Sequence, residues 1–145
     1  MSLLVEWRGV NSNVGENTLT LLALPGVGNI GKASLDALND INEAEEIARL
    51  HHTALPPLAT LDEDGLLSPP HLSVRSIESN TGIRLITIVG TSQPLESQYQ
   101  GTMAREIMKF LKSENVENLI VLAGMVDVAT RKETFIVPSS SSFRV

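Results

Sequence analysis

Thr18-Leu-Thr-Leu-Leu-Ala-Leu24, followed by Pro25-Gly26-Val-Gly-Asn-Ile-Gly31, sets out a strand, a glycine turn and the start of a helix. Its first seven residues are almost continuously apolar, which is the pattern of a strand covered on both faces in a parallel or mixed sheet between helical layers. Pro25-Gly26 stops the strand. Beyond the glycines, Ile30, Ala33, Ala37, Leu38 and Ile41 recur near helical spacing and predict an amphipathic helix.

Two later segments repeat the motif. Ile83-Arg-Leu-Ile-Thr-Ile-Val89 is closed by Gly90, and Leu119-Ile-Val-Leu-Ala123 is closed by Gly124. Between the last two lies a helix in which Tyr99, Met103, Ile107, Phe110 and Leu111 share one face, with Ser92 or Ser97 as its expected cap. Weaker strands are expected at residues 45–50, 58–61 and around Leu72 and Val74, and another at 134–137. Asp64-Gly65 is a hairpin turn signal, and Pro69-Pro70 ends the ladder that follows it. Strands alternating with two helices predict an α/β sandwich with a mixed central sheet.

The chain has 145 residues and 42% hydrophobic content, enough for one domain of ~15 Å radius of gyration without metal or disulfide staples. A formal charge of −6 repels a phosphate backbone, so nucleic acid is not an expected partner. The lack of cysteine excludes disulfides, thiolate metal sites and a cysteine nucleophile, and it fits a cytoplasmic protein. No apolar run approaches the ~20 residues that span a bilayer, and the first residues lack the basic start of a signal peptide, so no membrane is expected.

If the three glycine-closed strands are parallel, residues 26–32, 90–94 and 124–127 share one rim of the sheet, where open α/β sheets bind ligands. Two familiar phosphate motifs overlap in the first loop. Gly26-x-Gly28-x-x-Gly31 matches a dinucleotide fingerprint, but Glu45 and Glu46 lie at the start of the next strand, where an acid is needed at its end. Gly26-x-x-x-x-Gly31-Lys32 resembles a P-loop, but Ala33 stands where a hydroxyl holds magnesium, and Ser34 is a ~100° helical step late. Lys32 is a cation in a helix's first turn, disfavoured by the macrodipole, and is read either as a solvated lysine or as an anion ligand. The ligand-binding candidates are Gly26, Gly28, Asn29, Gly31, Lys32, Thr91, Ser92, Gln93 and Gly124.

His51, His52 and His71 are the only histidines, and the first two are adjacent, so on a strand they face opposite sides and no metal site is assigned. Asp62-Glu63-Asp64 lacks the spacing of a calcium loop, and no Gly-x-Ser-x-Gly elbow is present. No catalytic residue and no cofactor is assigned, and the expectation leans away from an enzyme.

Taken in order, Leu24-Pro-Gly-Val-Gly-Asn-Ile-Gly31, Leu55-Pro-Pro57, Glu63-Asp-Gly65 before Pro69-Pro70, Val89-Gly-Thr-Ser-Gln-Pro94 and Leu122-Ala-Gly124 resemble the proteasome assembly chaperone family. The likeness is to its prokaryotic branch, related to the second eukaryotic assembly chaperone, and it runs over about residues 19–137. The resemblance implies a three-layer α/β/α sandwich similar to purine nucleoside phosphorylases and peptidyl-tRNA hydrolases. It also implies a homo-oligomer that binds proteasome α-subunits. Such relatives dock through a C-terminal hydrophobic–tyrosine–any tail and continue further, whereas this sequence ends Phe143-Arg144-Val145. The expectation is therefore a single domain over residues 1–145 that lacks a C-terminal helical continuation. Protein docking is expected to use exposed Leu66, Leu67 and Leu95. The alternative is a phosphate- or nucleoside-like ligand held by the 26–32 and 90–94 loops.

Overall fold

The computed structural model describes residues 2–9, 13–15, 17–128, 130 and 132–143. In chain order the elements are β1 (Leu3–Trp7), β2 (Thr18–Ala23), α1 (Ile30–Ile41), β3 (Glu45–His52), β4 (Thr60–Leu61), β5 (Leu67–Ser68), β6 (Leu72–Ile77), β7 (Arg84–Gly90), α2 (Ser97–Ser113) and β8 (Leu119–Val121). Single 3-10 turns cover Val27–Asn29 and Ser141–Phe143. Arg144 and Val145, which end the sequence where the tyrosine tail pattern is not met, lie outside the described residues.

Among the described residues a six-stranded sheet runs β1-β3-β6-β7-β2-β8. The apolar run at Thr18 sits where its pattern puts it, between β7 and β8 and parallel to both. The β1-β3-β6-β7 half is antiparallel, so the sheet is mixed. Alternate side chains of β2 and β7 divide between two layers. Leu22, Ile86 and Ile88 face a core with Ile47, Ala48, Leu50, Leu72 and Val74, closed by Met103, Ile107, Phe110 and Leu111 of α2. Ala23 and Val89 face α1 through Leu35. One helix on each face makes the expected α/β/α sandwich, whose cohesion comes chiefly from this two-sided burial.

Several expectations change on inspection. In α1, Ile30, Ile41, Ala33 and Ala37 are exposed, and the buried face is Gly31, Leu35 and Asn39 with Leu38 half-buried. A polar residue sits on that face because Thr87 Oγ1 donates to Asn39 Oδ1 at 2.6 Å inside the core. Neither serine caps α2: Ser97 is its first helical residue, and Glu96 occupies the N-cap without a side-chain bond. The segment closed by Gly124 is shorter than expected and forms an edge strand, leaving Ile120 and Val121 exposed. Residues 134–137 form no strand, and Phe135, Ile136 and Val137 stand in solvent. The strand expected at 58–61 is paired only at Thr60–Leu61, whereas those at 45–50 and Leu72 are longer. The N-terminal β1 had no counterpart among the expected elements.

Candidate functional site

The parallel alignment of β2, β7 and β8 brings their carboxyl ends, and hence three glycine-closed loops, to one rim. A pocket of about 350 Å3 lies there, walled by Leu22, Leu24, Pro25, Val27, Ile30, Val121, Leu122 and Ala123 and by the three glycines Gly26, Gly31 and Gly124. Gln93 supplies its polar side chain. Of the nine ligand candidates, the rim therefore brings Gly26, Gly31, Gln93 and Gly124 around one space.

The glycines also have a packing task. A Cβ on Gly31 would lie 2.3 Å from the Leu122 carbonyl oxygen, and one on Gly124 would lie 2.3 Å from that of Val27. The start of α1 and the loop after β8 thus interlock backbone against backbone, an approach only glycine permits. Gly28 (φ 64°) and Asn29 (φ 53°) turn the chain left-handed just before α1, where the Asn29 N–H donates to Gly26 O at 3.0 Å. Neither Gly28 nor Asn29 lines the pocket.

Lys32 is not on the pocket wall either; its Nζ is paired with Asp36 one turn along the helix. This i, i+4 pair gives the first-turn cation a partner within its own helix. Thr91 serves the sheet: its Oγ1 accepts from the His71 N–H at 3.2 Å and donates to the His71 carbonyl at 3.1 Å, extending the β6–β7 ladder by one step. The Ser92 hydroxyl is buried without a hydrogen-bond partner among the described residues.

Of the three docking candidates, Leu66 is 65% exposed, Leu67 75% and Leu95 80%. Leu66 and Leu67 belong to the β4–β5 hairpin, where Leu58 and Leu61 are also exposed. The hairpin leaves the sheet between β3 and β6, at the same end as the glycine rim, since Leu50, Leu72 and Gly90 stand side by side across three strands.

Sequence reasoning passed over a polar face on β1, β3 and β6, on the side of the sheet away from α2. There His51 Nε2 meets Glu6 Oε2 at 2.8 Å, Arg49 Nε donates to Glu46 at 2.8 Å, and Ser73 Oγ donates to Glu46 at 2.5 Å. The Glu6 carboxyl is held below its ordinary value by the hydrogen bonds of His51 and Arg8. Burial works to raise Glu46, but Ser73 and Arg49 outweigh it and its value is lowered. His71, 5.7 Å from His51 between ring centroids, is pushed down mainly by burial, against its bond to the Pro69 carbonyl. The adjacent His52 lies on the opposite, α2-facing side: its Nδ1 accepts from the Ala54 N–H, and burial lowers its pKa. The signal for this face was the period-two pattern of β3, which becomes readable only once β1 is known to lie beside it. Among the described residues, no group of three or more histidine and acidic side chains is placed to hold a metal, and no helix is long and apolar enough to cross a membrane.

A family model for the PAC2 family matches residues 20–144. No curated protein matches the chain. Among solved structures, Pyrococcus furiosus PbaB, described as an archaeal proteasome activator, aligns with a TM-score of 0.71 at 15% identity, over 83% of this chain and 50% of that one. Pyrococcus furiosus PbaA, described as an archaeal homolog of proteasome-assembly chaperone, aligns with a TM-score of 0.62 at 26% identity, over 92% of this chain and 53% of that one. A protein of unknown function from Thermoplasma acidophilum aligns with a TM-score of 0.58 at 15% identity, over 74% and 42%. The chain spans about half the length of the first two structures.

Proposed function

We propose that this chain, which belongs to the PAC2 family, is a non-catalytic protein-binding module that docks on proteasome α-subunits as a homo-oligomer in the cytoplasm. The observation that carries this reading is the exposure of Leu66 and Leu67 on the β4–β5 hairpin and of Leu95 before α2, each more than half exposed. Exposed apolar residues grouped as Leu61, Leu66 and Leu67 are on the hairpin mark protein contact sites. The descriptions of PbaA and PbaB supply the class of partner.

The test is affinity purification of the protein from its host lysate, with co-purifying chains identified by mass spectrometry. Recovery of α-subunits in stoichiometric amount is the expected result. In Leu66→Asp/Leu67→Asp/Leu95→Asp the recovery falls at least about tenfold while the melting temperature stays in place, because truncating a docking anchor costs ~2 kcal/mol or more in binding. A parallel loss of both would mean that these leucines hold the fold.

The second reading, a nucleoside-like ligand, draws on the 350 Å3 rim pocket and Gln93. Among the described residues no cation lines this pocket, and Lys32, off its wall, is paired to Asp36, so the phosphate-binding version lacks a charge partner. Nucleosides are therefore expected to bind, if this reading holds, with affinity that Gln93→Ala lowers and Lys32→Ala leaves alone, as read by titration calorimetry. No heat with any nucleoside would remove it.

A further inference from the structure

Two parts of this molecule carry opposite chemistry. The β4–β5 hairpin places Asp62, Glu63 and Asp64 at its tip between exposed Leu61, Leu66 and Leu67. Its turn is ordered: the Asp62 N–H donates to the Leu66 carbonyl at 2.9 Å, and Asp62 Oδ1 accepts from the N–H groups of Asp64 and Leu66 at 3.1 and 2.8 Å. An arm already held in shape loses little entropy when it docks.

The outer face of α2 has the inverse pattern. A groove of about 490 Å3 is lined by Met108 and Val116 and bordered by Arg105, Lys109 and Lys112. Met108 is 52% exposed there. Lys109 is paired with Glu106 at 2.9 Å, while Arg105 and Lys112 have no acidic partner among the described residues. In a chain of net charge −6, this is a concentration of positive charge around an apolar floor.

Within one molecule the two do not meet. The base of the hairpin is tied through Ser68 to Arg49, on the sheet face away from α2. We propose that the acidic leucine hairpin of one copy docks into the basic groove on α2 of a second copy. The proposal takes the homo-oligomer of the preceding section as given and names its two contact surfaces. Apolar contact between Leu61, Leu66 or Leu67 and Met108 supplies the attraction, and the charged borders set orientation and rate of encounter. Because the two surfaces differ, the contact is heterologous and repeats head to tail; it occupies Leu66 and Leu67 of every copy but the last, and those of the terminal copy, with Leu95, stay free for an α-subunit.

The test uses the purified chain alone, followed by sedimentation over a range of concentration. Self-association is expected in the wild type. Glu63→Lys/Asp64→Lys and, separately, Lys109→Glu/Lys112→Glu each weaken it by at least about tenfold, since like charges are then opposed. The four substitutions combined in one chain restore it to within about threefold, as coupled pairs do. A monomeric wild type, reversals without effect, or a folded combined variant that stays dissociated overturns the proposal. A monomeric wild type would leave the hairpin to a foreign basic partner. Should a reversal variant fail to fold, the absence of native cysteine gives a second route. Glu63→Cys protein mixed with Lys109→Cys protein forms a disulfide-linked pair under mild oxidation, and failure to form it above the level of two distant surface cysteines overturns the proposal. No proteasome subunit is present in these experiments, so their failure and a failure of α-subunit binding are read separately.

Discussion

Gly31 and Gly124 do related work from opposite sides of one contact, each giving way to a carbonyl oxygen of the other's loop. Gly31→Ala places a methyl group 2.3 Å from Leu122 O, where backbone must shift. The expected cost is about 1–3 kcal/mol, as for other overpacked sites. It is read as a lower urea midpoint with an unchanged slope. Gly26→Ala is the control: its backbone is extended and the nearest atom to an added Cβ is 3.9 Å away, so stability stays within about 0.5 kcal/mol. The glycine spacing was plain in the sequence, and it matched two phosphate motifs equally well. What separates a ligand cradle from a packing interlock is the identity of the facing atoms, here Leu122 and Val27, and these belong to loops that only the folded sheet brings together. Lys32 is a different case: Asp36, at i+4, is the only acid within four residues of it, so this pairing was legible from helical spacing and went unread.

Among the elements, α1 was legible as a helix but not by face. Aliphatic spacing favoured Ile30 and Ile41, which are 58% and 81% exposed, over Leu35 at 1%. The helix is oriented instead by Gly31 against Leu122 in the loop after β8 and by Asn39 against Thr87, and neither scores as apolar. Leu35→Ala is accordingly expected to cost about 2–4 kcal/mol, while Ile41→Ala changes stability by less than about 0.5 kcal/mol, both by chemical denaturation. The α2 face was correct at Met103, Ile107, Phe110 and Leu111, which are all large, apolar and buried, while Tyr99, expected on the same face, is only half-buried. The short β1 alternates Leu3, Val5 and Trp7 against Leu4 and Glu6, yet its meaning depends on pairing with β3. Burial of the strand closed by Gly124 was overestimated because an apolar run does not say whether a further strand follows in the sheet.

For the whole molecule, acid is expected to act in two steps. Burial depresses both His52 and His71 below the ordinary histidine value of 6.5, so the unfolded chain binds these protons more readily than the folded one. Their contribution is complete above 6.5 and declines as pH drops from there toward the folded values. Glu6 and Glu46 are held below the ordinary 4.5, so their contribution is present above 4.5 and disappears as pH falls through the folded values. Urea midpoints measured above 6.5, between the two values and below 4.5 should fall at each step. In His52→Gln/His71→Gln the upper step is missing and the lower one remains. The order of strands has a consequence for synthesis. β2 is interior, but both of its neighbours are made later: β7 begins about 60 residues after β2 ends, or on the order of 3–12 s at ribosomal rates. During that interval this interior, largely apolar strand has neither edge occupied, which makes it a segment that a ribosome-associated holdase would grip.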